Sequence, residues 1–273
     1  MIDIFNRILA KLESFFARPH INIIKTVYVN FRLLPLKDVL KFPIFIYGNT
    51  RIISLGGSIE VHGKTTTGML KIGRHDDNYT DKGRNVICVT SGSKIAIEGH
   101  ISLGSGNIIR VADGGTLTLG DMVQTGNHVR IDCCNNILLG KLCGISYDSI
   151  ISDCNHHFLI DLNTKNIARN KGIVDLGERT FIGNNCFVFK GCKTSPGSVV
   201  SAYSFVSMNY SRTPNALIMG NPATIIDENI TRVWSCLRED EINTFFNNNP
   251  DKKKMKWEGN FDDPFEDVRK FYT

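Results

Sequence analysis

The sequence predicts an all-β chain that coils as a three-sided parallel β-helix, and a period of six residues is the main reason. From residue 176 onward, one position in every six is aliphatic or β-branched, and a small or β-branched residue lies two positions before it. Glycine is abundant, with 24 residues, and follows several of these positions. The periodic positions are Leu176, Ile182, Val188, Thr194, Val200 and Val206, and their small partners are Val174, Thr180, Cys186, Cys192, Ser198 and Ser204.

A period of six fits neither an α-helix, which repeats about every 3.6 residues, nor the alternation of a hairpin strand. It is typical of a triangular coil with three short strands per turn and one aliphatic side chain pointing inward from each side. Because the interior is narrow, the inward partner two residues earlier has to be small, and glycine fits the tight corner. Six consecutive matches are too many for coincidence. Such a stack needs several coils and a cap at each end.

The same frame extends the predicted β-helix over residues 46–226. Two further runs precede the first, with a slip of two residues between them, and weaker traces occur earlier. The polar segment 74–83 breaks the register and is predicted to be a loop. The earlier positions are Leu119, Thr125 and Ile131, then Leu139, Ile145 and Ile151, with traces at Leu103, Ile109, Leu55 and Val61.

Residues 1–45 form the predicted N-terminal segment. Within it, residues 2–17 have apolar side chains near helical spacing, interrupted by Arg7, Lys11 and Glu13. A helix that covers the first coil or a neighbouring subunit explains this pattern, and a basic amphipathic helix resting on a membrane explains it too. The apolar stretch Ile23 to Tyr47 is expected to begin the sheet.

After Pro222 the repeat stops, and residues 227–273 are predicted to form a C-terminal helical tail. Asp227 to Leu237 and Arg238 to Phe246 have the pattern of two short helices, with Asp227 as the N-cap of the first. A capping role is sufficient for this tail.

Composition excludes several classes of function. The formal charge of +5 over 273 residues is small, and the basic residues are scattered, so nucleic-acid binding is not expected. No uncharged apolar run is long enough to cross a membrane, and charged residues interrupt any N-terminal secretory signal. A cytoplasmic location follows as the default, and the eight cysteines, without a Cys-x-x-Cys pair, are expected to be free and mostly buried.

The chemistry is expected in the segment 152–172, where the repeat is interrupted by a polar loop that begins with His156 and His157. A neutral imidazole, with an ordinary pKa of about 6.5, can take a proton from an alcohol that attacks a thioester. Two ordinary loop histidines would give the same pattern, so the residues alone leave both interpretations open.

The block from Val174 to Met208, followed by Gly220-Asn221-Pro222-Ala223, resembles the terminal coils of sugar O-acetyltransferases in the hexapeptide-repeat acyltransferase superfamily. The steps Phe181-Ile182-Gly183 and Phe189-Lys190-Gly191 and the stretch Ala202 to Val206 carry the likeness. A fainter likeness to capsule and O-antigen acetyltransferases extends through the N-terminal segment. The resemblance implies a left-handed β-helix, acetyl-CoA as co-substrate, a sugar or glycan acceptor, and a homotrimer.

The resemblance also implies the candidate site residues. The family's Asp-x-Asp/Asn-x-His segment matches the sequence so that His157 is the general base, with Asp153, Asn155 and Asp161 as its neighbours; a variant spacing selects His156. The candidate acetyl-CoA contacts are Asn184, Asn185, Lys190, Ala202, Ser207 and Pro222.

One position departs from the family pattern where CoA would bind. Thr224 replaces the usual lysine that follows Gly-Asn-Pro-Ala, so Lys190, Lys193 or Arg212 is needed to contact the CoA phosphates.

The leading hypothesis is therefore O-acetylation of a sugar of a surface polysaccharide or its precursor. N-acetylation of a nucleotide-linked amino sugar and a non-catalytic β-helix scaffold are the alternatives. Acylation of Cys154 as a covalent intermediate is considered and set aside, because enzymes of this resemblance transfer the acyl group directly. No metal is expected, since Cys154, His156 and His157 lack the spacing of a zinc site.

Overall fold

A computed structural model of the protein describes residues 20–74 and 83–256. The predicted helix over residues 2–17 and most of the predicted 74–83 loop lie outside these residues. The chain separates into two compact units, residues 1–230 and 231–273. Among the described residues, no helix combines the length and the apolar character needed to span a membrane.

The first unit is a three-sided coil built from three parallel sheets. Up to the closing hairpin, consecutive strands along the chain belong to successive sheets, so each strand pairs with the strands one coil before and one coil after it. We call the three sheets I, II and III, and neighbouring strands in them run parallel except in the hairpin that closes the coil.

The strands are short, as a triangular coil requires. Sheet I contains β1 (Ile44–Ile46), β4 (Leu70–Ile72), β7 (Ile101–Leu103), β10 (Gln124–Thr125), β13 (Gly144–Ile145), β16 (Phe181–Ile182), β19 (Val199–Val200), β22 (Leu217–Gly220) and β23 (Ala223–Asp227). Sheet II contains β2 (Thr50–Leu55), β5 (Asn85–Val89), β8 (Ile108–Val111), β11 (Arg130–Cys133), β14 (Ile150–Ser152), β17 (Phe187–Phe189) and β20 (Phe205–Val206). Sheet III contains β3 (Ser58–Val61), β6 (Lys94–Ile97), β9 (Thr116–Leu119), β12 (Asn136–Leu139), β15 (Ile173–Leu176), β18 (Lys193–Thr194) and β21 (Asn209–Tyr210).

The six-residue period marks the inward positions, as predicted. All six periodic residues from Leu176 to Val206 and all six of their small partners are buried. Equivalent inward positions of successive coils are register partners and stack on one another, as Leu119, Leu139 and Leu176 do in sheet III. The seven cysteines whose side chains are described are free and buried, which confirms the expectation for those seven.

The first helix, α1 (Ile23–Leu33), corrects the prediction that the sheet begins at Ile23. Asn22 caps the helix by accepting the N–H of Lys25. From the buried face, the Thr26 hydroxyl accepts the N–H of Ile46, and the Asn30 amide bonds both the N–H and the carbonyl of Ile44. The helix thereby covers the open edge of β1, whose backbone groups would otherwise lack partners. A short helix, α2 (Leu36–Val39), follows before β1.

The last coil of the first unit closes with a hairpin. Strand β23 turns back on β22 through Asn221 and Pro222 and ends at Asp227. The prediction that Asp227 caps a helix is therefore wrong, because Asp227 pairs with Leu217. Among the described residues after Asp227, one helix, α3 (Cys236–Asn248), replaces the two that were predicted, and Ser235 caps it by accepting the N–H of Arg238.

Candidate active site

The interruption at residues 152–172 is a hairpin that leaves the coil between β14 and β15. Two backbone contacts hold its ends together. Cys154 and Lys171 form an antiparallel β-bridge, and the N–H of Gly172 donates to the Asp153 carbonyl at 2.8 Å. The register of β14 against β17 and of β15 against β12 continues undisturbed on either side. The hairpin is therefore an addition to one corner of the coil, between sheets II and III.

Asp153 fixes the corner directly below the hairpin. In the preceding coil, the corner between β11 and β12 is longer than the repeat requires, which accounts for the two-residue slip. The Asp153 carboxylate accepts the N–H groups of Cys134 at 2.7 Å and Asn135 at 2.8 Å, and the side chain is fully buried. Both oxygens of Asp153 are therefore engaged with the backbone of this corner.

His156 is tied to a buried carboxylate at the root of the hairpin. Its Nε2 lies 2.9 Å from Oδ2 of Asp132, a residue of β11 whose side chain is only 2% exposed. Arg110 donates to Oδ1 of Asp132 at 2.7 Å, and Arg130 donates to Oδ2 at 3.1 Å. Asp132 points out of the coil, yet the three surrounding side chains cover it.

The hydrogen bonds that Asp132 accepts keep its carboxyl group ionised. Burial alone would raise the pKa of Asp132, but the hydrogen bonds from Arg110 and His156 outweigh this effect and hold the pKa below its ordinary value. A carboxylate that stays charged is able to orient an imidazole ring and to stabilise its protonated form.

His157 and its expected neighbours are arranged differently. The His157 side chain is exposed and makes no hydrogen bond or ion pair with the part of the chain that the structure describes. Asn155 uses its N–H to bond the Asn170 carbonyl across the hairpin. Asp161 lies in the turn, where backbone hydrogen bonds from Thr164 and Asn163 lower the pKa of its carboxyl group. Asp161 therefore organises the hairpin turn.

Two thiols lie beside His156 at the root of the hairpin. The Sγ atoms of Cys134 and Cys154 and a ring nitrogen of His156 all lie within 4.8 Å of one another. Arg110 also lies 3.0 Å from the Cys134 sulfur. Burial, together with the neighbouring Cys154 thiol, raises the pKa of Cys134 to about 12, although Arg110 opposes the effect. Both thiols are buried, which disfavours Cys154 as a nucleophile for an external acyl donor.

The six candidate acetyl-CoA contacts lie at the two borders of sheet II and at the closing turn. Where sheet I passes into sheet II, consecutive coils carry Asn184, Asn185 and Ala202. Where sheet II passes into sheet III, Lys190 and Ser207 occupy equivalent corners, and Pro222 lies in the β22–β23 turn. The Nζ of Lys190 donates to the Arg169 carbonyl at 2.8 Å, so this lysine lies against the hairpin.

Asp132, Arg110 and Cys134 were missed by sequence reasoning. Arg110 and Asp132 occupy equivalent positions of β8 and β11, where they are register partners. A sequence signal for this pair would have been opposite charges at the same outward position of successive coils. The long corners obscure that signal, because they make the spacing between coils differ from a multiple of six.

The comparisons with known proteins establish the fold. The sequence matches no protein-family model and no curated protein. Among solved structures, the polySia specific acetyltransferase NeuO is 17% identical, with a TM-score of 0.51, and the match covers 78% of this chain and 82% of that chain. At this identity the likeness concerns the fold alone, and the predicted left-handed parallel β-helix is confirmed.

Two further structures match more loosely. A hexapeptide-repeat acetyltransferase from Vibrio cholerae O1 biovar eltor, VCA0836, complexed with acetyl coenzyme A, is 17% identical over 47% of this chain and 64% of that chain, with a TM-score of 0.34. The N-acyltransferase AntD from Bacillus cereus, in complex with dTDP and 3-hydroxybutyryl-CoA, is 16% identical over 75% of this chain and 89% of that chain, with a TM-score of 0.30. These superpositions are too loose to support any inference about this chain.

Proposed function

We propose that the protein transfers an acetyl group from acetyl-CoA to a sugar hydroxyl of a surface polysaccharide or its precursor. The observation that carries the proposal is the hairpin with two adjacent histidines, anchored by a buried carboxylate and added to an otherwise regular β-helix. The terminal-coil motifs that resemble sugar O-acetyltransferases support the donor and the acceptor class. The fold that the chain shares with NeuO, named as a polySia specific acetyltransferase, is consistent with this assignment.

His157 is the proposed general base, and His156 is a positioning residue. The ring of His156 is engaged with Asp132, whereas His157, the next residue, keeps its nitrogens free of partners among the described residues. As the acceptor oxygen bonds to the acetyl carbonyl carbon, its proton passes to the His157 imidazole. The carbon–sulfur bond then breaks, and the CoA thiolate takes the proton from the imidazolium.

The positions of the proposed CoA contacts are consistent with a homotrimer. Asn184 and Ala202 are separated from Lys190 and Ser207 by the width of sheet II. One extended ligand reaches both sets either by crossing this face or by lying between two copies of the chain. We propose the second arrangement, in which one copy contributes the hairpin and its neighbour contributes the other border.

Acetyl transfer is tested with purified protein, acetyl-CoA and a panel of glycans. We expect release of CoA only with an acceptor present, and an acetyl group on the acceptor that hydroxylamine removes, because hydroxylamine cleaves esters and leaves amides. An acetyl group resistant to hydroxylamine would identify N-acetylation instead. Failure to bind acetyl-CoA in calorimetry would favour a non-catalytic scaffold.

The roles of the two histidines are separated by single substitutions. His157→Ala is expected to lower kcat by about 10²- to 10⁴-fold with an unchanged circular dichroism spectrum. His156→Ala and Asp132→Asn are expected to lower kcat less, and their double variant no further than either single one, because both act through one hydrogen bond. His62→Ala, an exposed histidine of the early coils, is the control with unchanged activity. Near-normal activity of His157→Ala with loss of activity in His156→Ala would transfer the role of base to His156.

A further inference from the structure

The two thiols and the imidazole at the root of the hairpin are three side chains of the kinds that bind metal ions, brought together in an arrangement that the sequence did not predict. Cys134 follows β11 and Cys154 follows β14, and these neighbouring parallel strands bring them together because Asp132 and Ser152 are register partners. His156 then turns back toward both sulfurs, and the three donor atoms lie within 4.8 Å of one another. The sequence spacing gave no sign of this, because the ligands come from two coils and one of them follows a wide corner.

The donor set suits zinc. Zinc prefers thiolate sulfur and imidazole nitrogen in a tetrahedral arrangement, with bonds of about 2.3 Å and about 2.0 Å, so its ligand atoms lie roughly 3.5 Å apart. The present separations need only a small contraction. The His156 side chain is half-exposed and belongs to the hairpin, so its rotation brings the ring nitrogen closer to the two sulfurs.

Asp132 and two arginines supply supporting contacts around these three donor atoms. Oδ2 of Asp132 lies 2.9 Å from Nε2 of His156, and Oδ1 lies 3.9 Å from the Cys134 sulfur. Arg110 donates to both Asp132 and Cys134, and Arg130 donates to Asp132. Such outer contacts orient the ligands of natural metal sites, and the arginines offset the negative charge that the thiolates and the carboxylate would bring.

We infer that Cys134, Cys154 and His156, with solvent as the fourth ligand, bind one zinc ion that clamps the root of the hairpin to the preceding coil. The buried sulfurs face the coil and the half-exposed imidazole faces solvent, so the ion enters from the His156 side. The clamp joins residues of two coils and fixes the backbone immediately before His157. The inference depends on the geometry of the ligands and not on the proposed transferase activity.

Zinc binding is measured on the full-length reduced protein. After removal of metal with a chelator and addition of Zn²⁺, we expect one ion per chain and a thermal midpoint raised by several degrees. Co²⁺ in place of Zn²⁺ should give the near-ultraviolet thiolate-to-metal band and the visible bands of a tetrahedral site. Absence of bound Zn²⁺ in the reduced wild-type protein would overturn the inference, and so would a Cys134–Cys154 disulfide that persists after reduction in place of metal.

Substitutions locate the ion. Cys134→Ala and Cys154→Ala should each weaken Zn²⁺ binding by at least about tenfold and diminish the thiolate-to-cobalt band. Cys192→Ala, which removes a buried thiol of another corner, is the matched control and should retain the ion. Should a buried cysteine variant fail to fold, His156→Ala, which removes a half-exposed side chain, keeps the test decisive. Wild-type Zn²⁺ affinity in His156→Ala or in both folded cysteine variants would refute the assignment, whatever the transferase assays show.

Discussion

Nε2 of His156 lies 2.9 Å from Oδ2 of Asp132, and this contact joins the added hairpin to the regular coil. The carboxylate belongs to β11 and the imidazole belongs to the hairpin that follows β14. Because Asp132 is almost fully buried and also accepts from Arg110 and Arg130, its position is fixed by the coil and not by the hairpin. The coil therefore sets where the hairpin begins.

Replacing Asp132 by asparagine is expected to lower the free energy of unfolding by about 1–3 kcal/mol, because a buried acceptor of hydrogen bonds from two arginines and an imidazole is weakened. Urea denaturation followed by circular dichroism measures the change. Asp113→Asn is the matched control, since the Asp113 carboxylate is exposed in its pair with Lys171 and surface pairs contribute under about 1 kcal/mol. Equal effects of the two substitutions would contradict the importance of burial.

Acid should remove the stabilisation that Asp132 provides. The folded-state pKa of this carboxyl lies below its unfolded value of about 3.9. Its contribution is therefore fully present above that unfolded value and is lost as the pH falls toward the folded-state pKa. Unfolding free energies measured from neutral pH downward should fall more steeply for the wild type than for Asp132→Asn below about pH 5. Parallel curves would show that the carboxyl has the same pKa in both states.

Two neighbouring isoleucines in β14 test which positions of the repeat point into the coil. Ile151 is fully buried in the coil interior, whereas Ile150 points outward and is only partly covered. Ile151→Ala should cost about 2–5 kcal/mol of unfolding free energy, because it leaves a cavity in a narrow core. Ile150→Ala makes the same chemical change one residue earlier and should cost clearly less. Similar losses in the two variants would mean that the inward and outward positions are assigned incorrectly.

Two thiols of the coil interior should resist alkylation in the native protein. Burial raises the pKa of both Cys143 and Cys192 to about 12, so the reactive thiolate is scarce at neutral pH. Treatment with iodoacetamide followed by peptide mass spectrometry should label them only after denaturation. Rapid labelling of native protein would show that the interior opens at these positions.

The sequence predicted the coil well because the inward positions obey a strict steric rule. Val188 and its small partner Cys186 are both fully buried, and so are Val200 and Ser198. Each inward position has to fit a space that is the same in every coil, so the same residue types recur and the repeat becomes visible. The rule depends on neighbours two and six residues apart, which a single sequence displays directly.

Features that depend on contacts between coils could not be predicted in this way. Thr26 and Asn30 are polar residues on the buried face of α1, and their role becomes clear only against the edge of β1. Asn107 is another case. Its side-chain oxygen accepts the backbone N–H of Val129 from the next coil, and its backbone N–H donates to the side-chain oxygen of Asn85 in the previous coil. Asp132 lies beside Arg110 of the previous coil, and the stretch of chain between them contains a long corner that breaks the repeat. Partners about one coil apart, at variable spacing, leave no pattern within a short window.

The hairpin of residues 152–172 leaves and rejoins the coil at one corner, closed by the bond between Gly172 and Asp153. The strands on both sides keep the pairing they would have with a short connection. Because stability in such a stack comes mainly from contacts between adjacent coils, the hairpin beyond residue 157 and before residue 170 can be exchanged as a module. The sequence of the hairpin and the stability of the coil are thus separate properties of this chain, so one can diverge or be engineered while the other is retained.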